Sequence, residues 1–209
     1  YADQWAVADV VYHEMGHRLV DETGTEFKYQ FQPGALDEHY ADLFAALVEG
    51  EDEGIGFDVQ IGEDLPGGTI RNVRTPTGPD HMDDWNVQPN NESGDFGGVH
   101  SNSHIPSKAT QLLAEGGAHG ETNVEAIGPD KLRKLMFKTL KSSMTGESTS
   151  FSGYANAMVS KAKQLFSPYD DNACQVRKAF ASVGVITGDA DCDGTLDGKT
   201  NDNDGDGIA

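Results

Sequence analysis

Basic residues are scarce: 15 Lys and Arg stand against 35 Asp and Glu, a formal net charge of −20 over 209 residues. Nucleic acid and anionic membranes repel such a chain at long range, so neither is expected as a partner. The same charge favours cations, calcium first among them. Long apolar runs are missing as well. No segment approaches the roughly 20 residues of a membrane span, and no secretory leader is recognised. No nucleophile elbow or Cys–His pairing stands out, which sets serine and cysteine hydrolase chemistry aside. Hydrophobic residues make up only 36%, and 25 glycines point to much loop. The length still allows one or two compact domains with a substantial core.

What is present is mainly helical. Residues 3 to 21 carry apolar positions Trp5, Val7, Val10, Val11, Met15 and Leu19 at helical spacing. A second helix is expected over "PGALDEHYADLFAALVEG", ending at Gly50. Residues 51 to 98 lack periodicity, and a stretch of that length is usually functional or held by ions. A third helix starts near "HSNSHIPSKATQLLAEGG", interrupted or offset by Pro106; others are expected over 128–145, 151–166 and "NACQVRKAFASVGV". The chain opens in what reads as the first turns of a helix, as a cut within a longer protein would. The organisation expected is a helical unit, 1–186, followed by an Asp/Gly-rich calcium-repeat linker, 187–209.

The chemistry concentrates in "VVYHEMGHRLV". His13 and His17 lie four apart, one helical turn, so both can reach one metal ion. Glu14 then stands beside that metal, where it can take a proton from a bound water. Apolar flanks suggest a buried helix, and burying two histidines and a glutamate without a partner is costly. A catalytic zinc wants three protein ligands and one open position. A third histidine six residues on is excluded, because Val20 and Thr23 occupy the relevant places. Glu38 in "GALDEHYADLF" is the alternative, with Asp37 and Asp42 available to hold the histidine ring N–H groups. His39 could compete as a ligand, though it sits a helix step off the Glu38 face.

"DVVYHEMGH", "GALDEHYADLF" and "GGVHSNSHIPSKA", followed by "IGPDKLRKLMFKTL" and "VRKAFASVGV", resemble the thermolysin family of zinc metallopeptidases over about residues 1 to 186. The resemblance implies the helical catalytic lobe of such an enzyme. It implies zinc on His13, His17 and Glu38, with Glu14 as the base. It further implies that His100 stabilises the oxyanion, Asp95 orients His100, Tyr29 donates to the same oxygen, and Arg71 binds a substrate carbonyl. Val10, Ile61, Leu65 and Ile70 match the apolar pocket that takes a large residue after the cut. Protein or peptide substrates are therefore expected.

Calcium is expected twice. Asp9, Glu49, Asp58, Gln60 and Glu63 resemble the family's main calcium site, a set of hard oxygen donors. Gln60 stands where thermolysin itself has a glutamate, so one ion is expected where two can bind. The tail carries Asp189, Asp191 and Asp193 ahead of Gly194, with Asp197 following; Asn201 or Asp202, then Asp204 and Asp206, repeat the pattern. This resembles thrombospondin type 3 calcium repeats and stops mid-repeat. Beside such a tail, Cys174 and Cys192 favour a disulfide and a secreted, extracellular setting.

Two departures bear on function. The family's β-rich lobe, which precedes the histidine helix and forms one cleft wall, is not among these residues. That lobe, or a propeptide of the same precursor, is an expected partner. His104 replaces a residue that is usually glycine, where it could narrow the cleft or add a ligand. The function expected is a secreted zinc endopeptidase cutting before large apolar residues. The alternative is a calcium-dependent binding or scaffold protein that keeps an inactive peptidase fold.

Overall fold

Helix α2 (Phe31–Asp52) is the centre of the molecule. Leu36, Tyr40, Leu43, Ala46 and Leu47 are buried on it, and so are Glu38, His39, Asp42 and Glu49. A helix buried on nearly every side needs neighbours all round, and α1, α3, α4 and α6 supply them. The computed structural model describes residues 7–142, 146–167, 170–189, 192, 193 and 196.

Helix α1 (Ala8–Glu22) lies against α2. Gly16 makes the approach possible: a Cβ there would fall 2.6 Å from the Ala41 Cα. Two short helices, α3 (Asp95–Asn102) and α4 (His104–Glu115), run almost continuously through Ser103. The expected offset falls at that serine. Pro106 occupies the first turn of α4, where a missing N–H is tolerated, and does not break it. Helices α5 (Pro129–Leu140), α6 (Phe151–Leu165) and α7 (Asn172–Ser182) complete the helical unit. Ser150 caps α6 by accepting from the Gly153 N–H at 3.1 Å, the usual remedy for an open helix start.

The core gathers Leu36, Tyr40, Ile105, Leu112, Leu135 and Phe151, among others. The rings of Tyr40 and Phe180 pack against Tyr154 at 5.4 and 5.5 Å. His39 belongs to this core. Its Nδ1 is 2.9 Å from the Ser107 hydroxyl and its Nε2 3.1 Å from the Tyr154 hydroxyl. Burial pushes it down to about 3, so it is a neutral core group. Both nitrogens being engaged, His39 is not a competing metal ligand.

Strands are few. β1 (Gln60–Ile61) pairs antiparallel with β2 (Arg71–Asn72), with Ile61 opposite Arg71. The helices expected over 100–117 and 128–145 end short of those bounds. Between them the chain forms a hairpin, β3 (Gly117–His119) with β4 (Thr122–Val124). Cys174 on α7 and Cys192 form a disulfide, S–S 1.95 Å.

Candidate active site

Helix packing brings the two histidines of α1 onto Glu38 of α2. The two Nε2 atoms are 3.1 Å apart. The Glu38 carboxylate lies 3.5 Å from His13 Nε2 and 3.7 Å from His17 Nε2. Donors on one tetrahedral zinc are roughly 3.4 Å apart, given bonds near 2.1 Å, so the spacing fits that ion. Glu38 Oε2 is buried without a hydrogen-bond partner. The orphaned oxygen faces His13 and the other carboxylate oxygen faces His17, so the two imidazoles and the carboxylate make a donor set for a borderline-soft dication.

The ring orientations are fixed from behind. Asp42, fully buried, sits 2.8 Å from His13 Nδ1, and Asp37 sits 3.2 Å from His17 Nδ1. Burial would lower the basicity of His13, but its bonds to Asp42 and Glu38 win and raise it to about 9. His17 is raised for similar reasons, against burial, by Asp37 and Glu38. Burial would raise Glu38, yet His13, His100 and Tyr29 hold it below the usual range. Negative charge that keeps a proton on His13 would equally receive a metal ion. Glu14 is exposed on α1 between the two histidines.

Arg71, on β2, donates from Nε and Nη2 to the two oxygens of Asp42 at 2.8 and 2.7 Å. This two-pronged bond holds Asp42 well below the ordinary carboxylate range despite its burial. The third guanidinium nitrogen, Nη1, takes no part in this bond.

His100 comes from a strained turn. Asp95, Phe96, Gly97 and Gly98 all have left-handed backbone, with φ of 52, 48, 92 and 76°. Glycine takes this conformation freely; an L side chain pays about 1–2 kcal/mol per residue. The turn is held by Phe96 N–H donating to Asn91 O and Gly97 N–H to Pro89 O, at 2.9 and 3.1 Å. It aims Asp95 back at His100: one oxygen accepts from the backbone N–H at 2.9 Å, the other lies 2.6 Å from Nδ1. His100 Nε2 then faces Glu38 at 3.3 Å and the Tyr29 hydroxyl at 3.5 Å. Tyr29 donates to Glu38 at 2.5 Å.

Ile61 and Leu65 are buried but stand outside the main core cluster. The side chains of Ile70 and Leu65 converge over Gly62, where a Cβ would come within 2.7 Å of Ile70. Ile70 is 44% exposed, as a pocket wall would be. Val10 is half-buried and follows Asp9, which accepts from the Gly62 N–H.

Oxygens of Asp9, Glu49 and Glu63 lie within 4.8 Å of one another, with Asp58 close enough to raise both glutamates electrostatically. Burial and the neighbouring carboxylates push Glu49 up to about 8 and Glu63 up to about 7. Glu49 Oε2 and Glu63 Oε2 are buried without hydrogen-bond partners. Crowded hard oxygens with orphaned lone pairs fit calcium. The Gln60 side-chain oxygen is engaged elsewhere, accepting from the Thr69 hydroxyl at 2.9 Å.

His104 does not join the ligands. It is buried, both ring nitrogens lack partners among the described residues, and its ring lies against Gly78. In the tail, Asp189 is buried and Asp193 exposed; Asp191, Asp197, Asp202, Asp204 and Asp206 lie outside the described residues, as does Asn201.

The thermolysin metallopeptidase alpha-helical domain family matches residues 25–185. Neutral protease B of Bacillus subtilis (strain 168) is 34% identical over 183 residues, covering 85% of this chain and 32% of that protein. Bacillolysin of Bacillus cereus is 36% identical over 185 residues, covering 85% and 31%. Among solved structures, the precursor of protealysin, a metalloproteinase from Serratia proteamaculans, superposes with a TM-score of 0.68. It is 27% identical and is matched over 87% of this chain and 59% of its own. Fold and matches define the class, the alpha-helical domain of a metallopeptidase. The chain belongs to the thermolysin family. It spans about a third of the length of the curated relatives named.

Several residues at the site were not legible in advance. Gly16 and Gly62 matter through what a side chain would strike, and their sequence context does not announce it. The paired glycines of "DFGGVH" hint at a left-handed turn, but nothing marks Phe96 as part of it.

Proposed function

We propose that this chain carries the metal centre and acid–base groups of a zinc endopeptidase. His13, His17 and Glu38 would hold the ion, and Asp37 and Asp42 would fix the histidine rings. The observation that carries the proposal is the clustering of His13, His17 and Glu38, one ligand atom of each within 4.8 Å of the others, with Glu38 Oε2 buried and unpartnered.

Bound zinc would supply Lewis acidity, polarising the scissile carbonyl and making a water acidic. With an ion held there, Glu14 would act as the base that takes a proton from the attacking water and returns it to the amine as the C–N bond breaks, keeping the proton balance within one side chain. The His100 imidazole, oriented by Asp95, and the Tyr29 hydroxyl donate to the oxygen as negative charge builds on it. Arg71 holds the backbone carbonyl of the residue after the cut, and Asp42 keeps the guanidinium in place. Val10, Ile61, Leu65 and Ile70 receive that residue's side chain, so a large apolar group is preferred.

Asp9, Glu49, Asp58 and Glu63, with Gln60 through its backbone oxygen, would hold calcium and tie α1 and α2 to the 58–63 loop. The Asp-rich tail is a second calcium segment. The disulfide supports a secreted setting. A β-rich lobe or a propeptide would supply the opposite cleft wall; Val11 and Met15, 44% and 51% exposed on α1, form apolar surface it would cover. Nothing at the site favours an inactive binding protein, since no catalytic group is lost.

The test is cleavage of a quenched peptide with Leu or Phe after the scissile bond, in calcium. Cleavage is expected to vanish on chelation, return with zinc, and be absent in Glu14→Ala. Activity that survives Glu14→Ala at the wild-type level sinks the proposal.

A further inference from the structure

Two phenylalanines adopt a backbone that phenylalanine avoids. Phe31 has φ 48° and Phe96 has φ 48°, in the left-handed region where a bulky side chain is an outlier. Burial does not offset the strain. Phe31 is 41% exposed and Phe96 is only partly buried. Strain of this kind persists where the surroundings or a function require it.

Both rings stand at the left-handed turn that carries His100. Phe96 packs edge-on against Tyr29, ring centroids 5.7 Å apart. Tyr29 in turn reaches Glu38 and His100. The Phe31 ring rests on the same left-handed turn: a Cβ on Gly97 would meet its Cδ1 at 2.3 Å. Tyr29, itself 39% exposed, therefore joins Phe31 and Phe96 in an aromatic shelf. The shelf adjoins the ligand cluster at Glu38 and His100. Arg71, proposed to hold the residue after the cut, adjoins it instead through Asp42 and His13.

We propose that Phe31, Phe96 and the Tyr29 ring bind an aromatic or large apolar side chain on the residue before the scissile bond, adding a second specificity determinant. The inference rests on the peptidase function proposed above. Exposed aromatic faces at fixed positions offer large contact area with little side-chain entropy to lose. Tyr29 is close enough to Arg71 to interact with it electrostatically, so an extended substrate held at Arg71 would bring its preceding residue toward Tyr29.

The test uses the full-length protein loaded with zinc and calcium. Two peptides share Leu after the scissile bond and carry Phe or Ala before it. The wild type is expected to favour Phe by about tenfold or more in kcat/KM, mostly through KM. In Phe31→Asn/Phe96→Asn that ratio falls toward one. Asparagine suits left-handed backbone, so the variant is expected to fold at least as stably. Phe96→Tyr, which keeps the ring, retains the preference. A ratio unchanged in the double variant overturns the inference, and so does a lost ratio that Phe96→Tyr fails to keep. Should the zinc-loaded wild type cleave neither peptide, the peptidase function fails, and binding decides the shelf separately. Acetyl-phenylalanine amide is expected to shift the NMR signals of Phe31 and Phe96, while acetyl-alanine amide does not. Equal or absent shifts overturn the inference.

Discussion

Asp42 accepts two hydrogen bonds from Arg71, at 2.8 and 2.7 Å, with one of the same oxygens 2.8 Å from His13 Nδ1. One buried carboxylate thus fixes a proposed zinc ligand and a proposed substrate-binding cation together. Asp42→Asn removes the charge that both share. Zinc affinity is expected to fall about 10–100-fold, read by competition with a chromophoric chelator. The buried guanidinium, left without its counter-charge, is expected to cost about 3–5 kcal/mol in urea unfolding. Unchanged zinc affinity would show that Asp42 serves the fold alone.

His100 is held at both its backbone and its ring by Asp95. His100→Ala is expected to lower kcat about 10²–10³-fold with little change in KM, as for loss of an oxyanion donor. A KM effect with kcat intact would place His100 in ground-state binding.

Gly16→Ala tests the link between helix packing and the metal cluster. The new methyl would sit 2.6 Å from the Ala41 Cα, so α1 must move off α2 and carry both histidines away from Glu38. A loss of about 1–3 kcal/mol in stability is expected, together with weaker zinc binding. Stability lost with full zinc affinity would mean the cluster does not depend on this contact.

The crowded carboxylates set an unusual pH dependence. Glu49 is raised from 4.5 to about 8 and Glu63 from 4.5 to about 7 in the calcium-free fold. A folded-state value above the unfolded one means the folded protein binds more protons, so stability falls as pH rises from 4.5 toward 8. His13, raised from 6.5 to about 9 without metal, acts in the same direction above pH 6.5. In chelator, Tm is therefore expected to drop between pH 5 and 8. Glu49→Gln should make that drop shallower, which separates the carboxylates from His13. Saturating calcium should raise Tm most at pH 8. A calcium effect equal at pH 5 and 8 would contradict this assignment.

Cys174 on α7 is bridged to Cys192, 18 residues further along the chain. Cys174→Ser/Cys192→Ser is expected to lose about 3 kcal/mol of stability, with zinc affinity retained, because α7 supplies none of the proposed ligands.

The cluster of His13, His17 and Glu38 was legible because helical geometry turns a spacing of four into a shared face, and because the family resemblance singled out Glu38 among the several polar residues of the next helix. The long apolar helices were legible for the same reason, α2 most clearly. Bounds slipped where the signal was local: residues 117–124 hold two glycines and little apolar alternation, so the β3–β4 hairpin left no periodic trace. His39 resembled a ligand in sequence, and only its packing between Ser107 and Tyr154 assigns it to the core. Contacts across long separations, such as Tyr29 with His100, came from the family resemblance, since spacing along the chain cannot report them. Backbone strain at Phe31 and Phe96 had no sequence signature at all.

The most direct test of the central claim is diffraction from zinc-loaded crystals at energies either side of the zinc edge. One anomalous peak is predicted, about 2.0–2.2 Å from His13 Nε2, His17 Nε2 and a Glu38 oxygen. A zinc peak elsewhere, or one that includes His104 and leaves Glu38 unbound, would contradict the account.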